Sequence, residues 1–141
     1  MSRSVLESPE EVVIASSTLA ADRNGTINVR GYNQVTLYCE YKHAASVTDL
    51  EIIPELLRPG STSSVYRLPE EDVSAPPVVD VNVLTGRRYN VVLTSLVAAT
   101  TYKFCLFIPV AGADSLKVNV DQTGADADAT ILIYAVKTVQ Q

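Results

Sequence analysis

The chain has 141 residues, 47% of them hydrophobic, and carries a formal net charge of −5. That length fits one domain able to bury a core without disulfide or metal staples. The acidic balance, with Arg87-Arg88 as a pair rather than a patch, argues against nucleic acid as a partner. No apolar run approaches the length of a membrane span, so no membrane partner is expected either.

Residues 1–11 are polar, acidic and interrupted by Pro9, and they read as an arm outside the core. The start lacks the apolar stretch of a secretory signal, so a cytosolic product is expected. Residues 12–141 read as one β-sandwich domain. Val12-Val13-Ile14 and Thr18-Leu19-Ala20 supply a first strand. Asp22 to Gly25 reads as a turn, because Asn and Gly both tolerate positive φ. Residues 26–30 then alternate, with Ile27 and Val29 on one face.

Gln34 to Lys42 is the clearest strand of the first half. Val35, Leu37, Cys39 and Tyr41 point one way, and Thr36, Tyr38, Glu40 and Lys42 the other. Asp49 to Leu57 contains Pro54, which cannot donate to a ladder, so an edge or bent strand is expected, with a short helix over 52–57 as the competitor. A weak strand over 63–68 is followed by PEEDVSAPP, residues 69–77, the most loop-like stretch of the domain. Residues 78–96 read as the best hairpin, turning at Thr85-Gly86-Arg87.

From residue 100 onward three apolar runs follow closely. In the first, Tyr102, Phe104, Leu106 and Ile108 share a face, while Cys105 and Phe107 make the other face apolar too. A strand apolar on both sides is expected to be central and covered twice. After the Gly112-Ala113-Asp114 turn, Leu116, Val118 and Val120 alternate with Lys117, Asn119 and Asp121. Residues 124–128 form a loop, and 129–139 close the domain with Ile131, Ile133 and Ala135 opposite Leu132, Tyr134 and Val136. Strand and turn signals recur roughly every 10–13 residues, the spacing of an antiparallel, all-β sandwich.

Candidate chemistry is sparse, and no catalytic, cofactor-binding or metal residue is assigned. Cys39 and Cys105 read as two buried free thiols; pairing would require their strands to face each other. Asp121, Asp126 and Asp128 could be oxygen ligands for calcium, but the EF-hand spacing is absent and they read as a plain loop, which short acidic residues prefer. His43, the single histidine, stands at no recognisable nucleophile motif and reads as a surface-loop residue. Glu70, Glu71 and Asp72 are adjacent carboxylates in a proline-rich loop and read as solvated. Tyr32, Tyr38, Tyr66 and Tyr89 are candidates for stacking on sugar rings. Asn24-Gly25-Thr26 matches a glycosylation sequon but reads as a turn.

Two resemblances arise in the second half. The string LTSLVAATTYKFCLF resembles the fibronectin type III pattern, but two further strands follow Ile108 and no early Trp is present. The run YKFCLFIPVAGADSLKVNVDQTGADADATILIYAVK, with the opening SSTLAADRNGTINVRGYNQVTLYCEY, resembles the small jelly-roll virion proteins of tailed bacteriophages, most of all head decoration (cement) proteins. That resemblance is one of pattern over most of residues 12–138. It implies a non-enzymatic protein without cofactors, a homotrimer on the outer surface of the phage head, with the major capsid protein as partner. The alternatives are a tail, baseplate or fibre-associated module, or a carbohydrate-binding β-sandwich.

Overall fold

A computed structural model describes residues 5–19, 22–44, 49–60, 65–67, 78–80, 91–94, 96–124 and 126–140. All the regular structure is β: β1 (Val5–Glu7), β2 (Glu11–Leu19), β3 (Arg23–Asn28), β4 (Gln34–Lys42), β5 (Asp49–Leu57), β6 (Val65–Arg67), β7 (Val78–Asp80), β8 (Val91–Thr94), β9 (Thr101–Pro109), β10 (Ser115–Thr123) and β11 (Asp126–Gln140). One sheet, A, runs β1-β11-β4-β9, with β2 also on β11. The other, B, runs β3-β10-β5-β8-β7, with β6 also on β5.

The pairing is nested. β2 pairs with β11, β3 with β10, β4 with β9 and β5 with β8, all antiparallel. The chain therefore behaves as one long hairpin, rolled so that β11 also meets β4 and β10 also meets β5. This is the connectivity of a jelly roll. Alternation supplies the core: β4 follows an exposed-to-buried period of two along its length. Its inward side chains Val35, Leu37, Cys39 and Tyr41 meet Phe104, Leu106 and Ile108 of β9 and Ile131, Ile133 and Ala135 of β11. Leu50, Ile52, Leu116, Val118 and Val120 line the facing side of sheet B. Truncating a fully buried member such as Leu37 or Ile133 to Ala costs about 2–5 kcal/mol in sites of this kind.

Several expectations are corrected. The stretch 1–11 is held in sheet A from Val5 onward: Leu6 lies opposite Val139, and Ser8 N–H donates to Lys137 O at 2.8 Å. Asp22 to Gly25 is not a turn, since Asn24 and Gly25 lie in β3 opposite Asn119 and Val118. What Gly25 supplies is closeness. A Cβ there would sit 2.1 Å from the Val13 carbonyl oxygen, so β2 can lie over β3 only without a side chain.

β5 is neither an edge nor a helix. It is paired to β10 along its whole length, and on the other side β8 faces Leu50 to Ile52 while β6 faces Glu55 to Leu57. Pro54 falls in the gap between those two short partners, which is how a central strand accommodates a missing donor. β7 and β8 run parallel, so the expected 78–96 hairpin does not form. Its turn, Thr85 to Arg87, lies outside the described residues, as does PEEDVSAPP. β9 ends the described path of sheet A and pairs only with β4 there, so it is not central, and its outer face is not covered: Phe107 is 52% exposed.

Polar contacts close the edges of the sandwich. Lys137 is only 13% exposed, and its ammonium meets Glu11 Oε2 at 3.0 Å, donates to Asn28 O at 3.0 Å and lies 5.1 Å from the Tyr32 ring centre. It thereby ties β2, β3 and the β3–β4 connection to β11. At the β9–β10 turn, where Gly112 adopts φ 87°, Asp114 accepts from Gly60 N–H at 3.1 Å and pairs with Arg30 at 3.5 Å.

Gly25→Ala should shift the urea midpoint down by a loss of about 1–3 kcal/mol, because β2 must move off β3. An unchanged midpoint would show that the close approach of Val13 to Gly25 is not a structural requirement.

Candidate functional site

The outward residues of sheet A form ordered rows, because register on a pleated sheet places direct partners side by side. Val12 of β2 lies opposite Tyr134 of β11, Tyr134 opposite Tyr38 of β4, and Tyr38 opposite Cys105 of β9. Side chains so paired have Cβ atoms about 4.5–5.5 Å apart. The row beside it carries Leu132, Glu40 and Lys103, with Lys103 Nζ 3.3 Å from Glu40 Oε1. The row on the other side carries Val136, Thr36 and Phe107. Tyr38 is 46% exposed, and Val12 and Cys105 are exposed as well.

A groove of about 420 Å³ crosses these rows, walled by Glu10, Tyr38, Glu40, Lys103, Cys105 and Tyr134. Two tyrosine rings thus share a floor with two carboxylates and an ammonium. A second depression of about 310 Å³ lies at the other sheet, between Leu56, Arg58, Tyr66 and the Ala111–Ala113 turn. Its polar complement is Arg58 and the half-exposed Tyr66.

The sequence candidates are distributed unevenly over this surface. Of the four tyrosines weighed for stacking, Tyr38 lies in the groove, Tyr66 in the second depression, and Tyr32 under the Lys137 ammonium. Tyr89 lies outside the described residues, as do Glu70, Glu71 and Asp72. Tyr134 was not among those candidates. The signal that finds it is its outward parity in the closing strand, once that strand is known to lie beside β4.

His43 is not a surface-loop residue. It is 3% exposed, its Nδ1 is 2.8 Å from Tyr41 Oη, and its N–H donates to Thr100 O at 2.9 Å. Tyr41 is itself fully buried and stacks on Tyr102, ring centres 6.5 Å apart, while Tyr102 Oη accepts from Val97 N–H at 2.8 Å. The histidine therefore serves the interior at one end of the sandwich. Asp121 and Asp128 are exposed, and both are engaged within the protein. No cluster of three metal-ligating side chains occurs among the described residues.

The two cysteines differ from the expectation of a buried pair. Cys39 is buried and Cys105 exposed. Their strands are neighbours, but Cys39 lies opposite Phe104 and Cys105 opposite Tyr38, so the two thiols project to opposite faces of sheet A. Both are free. Burial pushes the Cys39 thiol well up from its ordinary value, and the Cys105 thiol adds in the same direction.

Against known proteins, no family model and no curated protein matches the chain. Among solved structures it is similar to one described as "CBM4 structure and function", a carbohydrate-binding module, with a TM-score of 0.43 and 15% identity over 89% of this chain. It is also similar to the enzymatically active domain of tailspike protein 4 of bacteriophage CBA120, with a TM-score of 0.44 and 14% identity over 99% of this chain. The match spans 64% of the first of those chains and 19% of the second.

Two outcomes are expected from this geometry. With a thiol reagent near neutral pH, the native protein should show one fast-reacting thiol, lost in Cys105→Ser, and a second only in denaturant; two fast thiols would contradict the placement of Cys39. Tyr41→Phe should lower stability by about 1–3 kcal/mol, because His43 loses a buried hydroxyl partner. A chemical denaturation curve superimposable on that of the native protein would show that the bond carries no weight.

Proposed function

We propose that the chain is a non-enzymatic structural protein of a tailed-phage virion and, more finely, a head decoration protein that binds the major capsid protein on the outside of the shell as a homotrimer. The observation that carries this reading is the nested jelly-roll pairing of β2–β5 with β8–β11. Its strands β9 to β11 fall almost wholly within residues 102–137, the run whose pattern resembles those virion proteins. The turning inward of His43 supports the non-enzymatic part, since the single imidazole is hydrogen-bonded to Tyr41 rather than offered to a substrate.

The pairing of residues 5–8 to β11 supports attachment through a surface formed before binding. Attachment then relies on a preformed surface, which loses less conformational entropy on binding.

A tail, baseplate or fibre-associated module, or a carbohydrate-binding sandwich, is the second reading. The exposed tyrosine in the groove of sheet A favours it. Sedimentation of the purified chain with undecorated heads and, separately, with isolated tails distinguishes the two. Decoration predicts saturable co-sedimentation with heads at a fixed ratio to capsid protein, and a trimer in solution or on the shell. Binding to tails alone would reject decoration in favour of the second reading.

A further inference from the structure

We infer that the groove across the outer face of sheet A is a binding site for a neutral pyranose ring of an oligosaccharide. The inference rests on the second reading above, a carbohydrate-binding sandwich, and deepens it by naming the site and the class of ligand. Tyr38 and Tyr134 are direct cross-strand partners on the outward face, and both line the groove. Such a pair presents an apolar, electron-rich platform for the C–H face of a sugar. Glu10 and Glu40 accept from hydroxyl groups around the rim, and Lys103 donates to them. The volume, about 420 Å³, falls in the range of small-ligand sites.

The alternatives fit less well. A protein partner needs roughly 800 Å² on each side, and the centre of such an interface is depleted in charge. Here three charged groups wall the groove itself. A phosphate or other anion would meet two carboxylates against one ammonium. A quaternary ammonium is drawn to aromatic rings with net negative charge, but Lys103 lies 3.3 Å from Glu40 and answers one of the two carboxylates. A ligand that is flat and apolar on one side and ringed by hydroxyls matches each wall. The exposed thiol of Cys105, opposite Tyr38, marks the same end of the row and gives a chemical handle on it.

The test uses the full chain and defined probes: hexaoses of α-1,4-glucose, β-1,4-glucose, N-acetylglucosamine and galactose, measured by titration calorimetry and saturation-transfer NMR. At least one hexaose should bind saturably, with transfer to its C–H protons. Tyr38→Ala should weaken it tenfold or more, and Tyr66→Ala, at the other depression, should leave it unchanged. Should Tyr38→Ala unfold, Glu40→Gln decides, with a loss of threefold or more expected from removing one acceptor. No saturation with any hexaose overturns the inference. So does equal binding by the decisive variant, or tetramethylammonium displacing the bound sugar. Co-sedimentation of Tyr38→Ala with heads and tails keeps the two proposals apart: it reports on virion attachment whatever the sugars do.

Discussion

The double pairing of β11 is the constraint on which the rest of the molecule depends. This strand is flanked by β4 along nine residues on one side and by β1 and β2 on the other. Its register decides which of its side chains are core and which are surface. With Ile133 opposite Cys39, the odd-numbered Ile131, Ile133 and Ala135 enter the interior, and Leu132, Tyr134 and Val136 face outward. A slip of one residue would exchange the two sets, and Tyr134 would leave the surface on which it meets Tyr38. Core and candidate site are therefore two faces of one pairing.

Because the pairs are nested, the strands brought together are far apart in sequence. Val5 meets Gln140, and Arg23 meets Val120. Contacts of this kind reward the chain only after long loops have closed, so folding of such a sandwich is expected to be slow relative to helical domains of the same size. The polar contacts at the edges matter in that light. Lys137 joins groups from β2, β3 and the β3–β4 connection on one ammonium, and Asp114 joins Gly60 and Arg30 at the β9–β10 turn. Each contributes little alone where it is exposed; their value is that they hold distant segments in one register.

Much of the fold was legible in the residues. Gln34 to Lys42 and the three runs after residue 100 show period-two alternation strong enough to mark both strand and face, and the observed spans follow it closely. What was not legible depends on partners that local sequence does not name. Asn24-Gly25 carries a turn signature, yet Gly25 is there because the Val13 backbone passes over it. Cys105 and Phe107 suggest a central strand covered twice, yet β9 ends the described path of its sheet, and both side chains are exposed on its outer face. His43 follows a strand and precedes small residues, the pattern of a surface loop, but Tyr41 two residues earlier holds it inside. The groove is legible only in part: Tyr38 stands out as a tyrosine in a half-wet strand, whereas Tyr134 becomes its partner through pairing across 96 residues of chain.

The account turns on the placement of Tyr134 beside Tyr38 in the β4–β11 register. Interstrand nuclear Overhauser contacts between backbone protons of these two strands test it most directly, since they report register without reference to any ligand. The predicted result is contact between Tyr38 and Tyr134, with Cys39 to Ile133 and Leu37 to Ala135 on either side. Contacts displaced by one residue, placing Tyr134 opposite Leu37 or Cys39, would contradict both the core and the site.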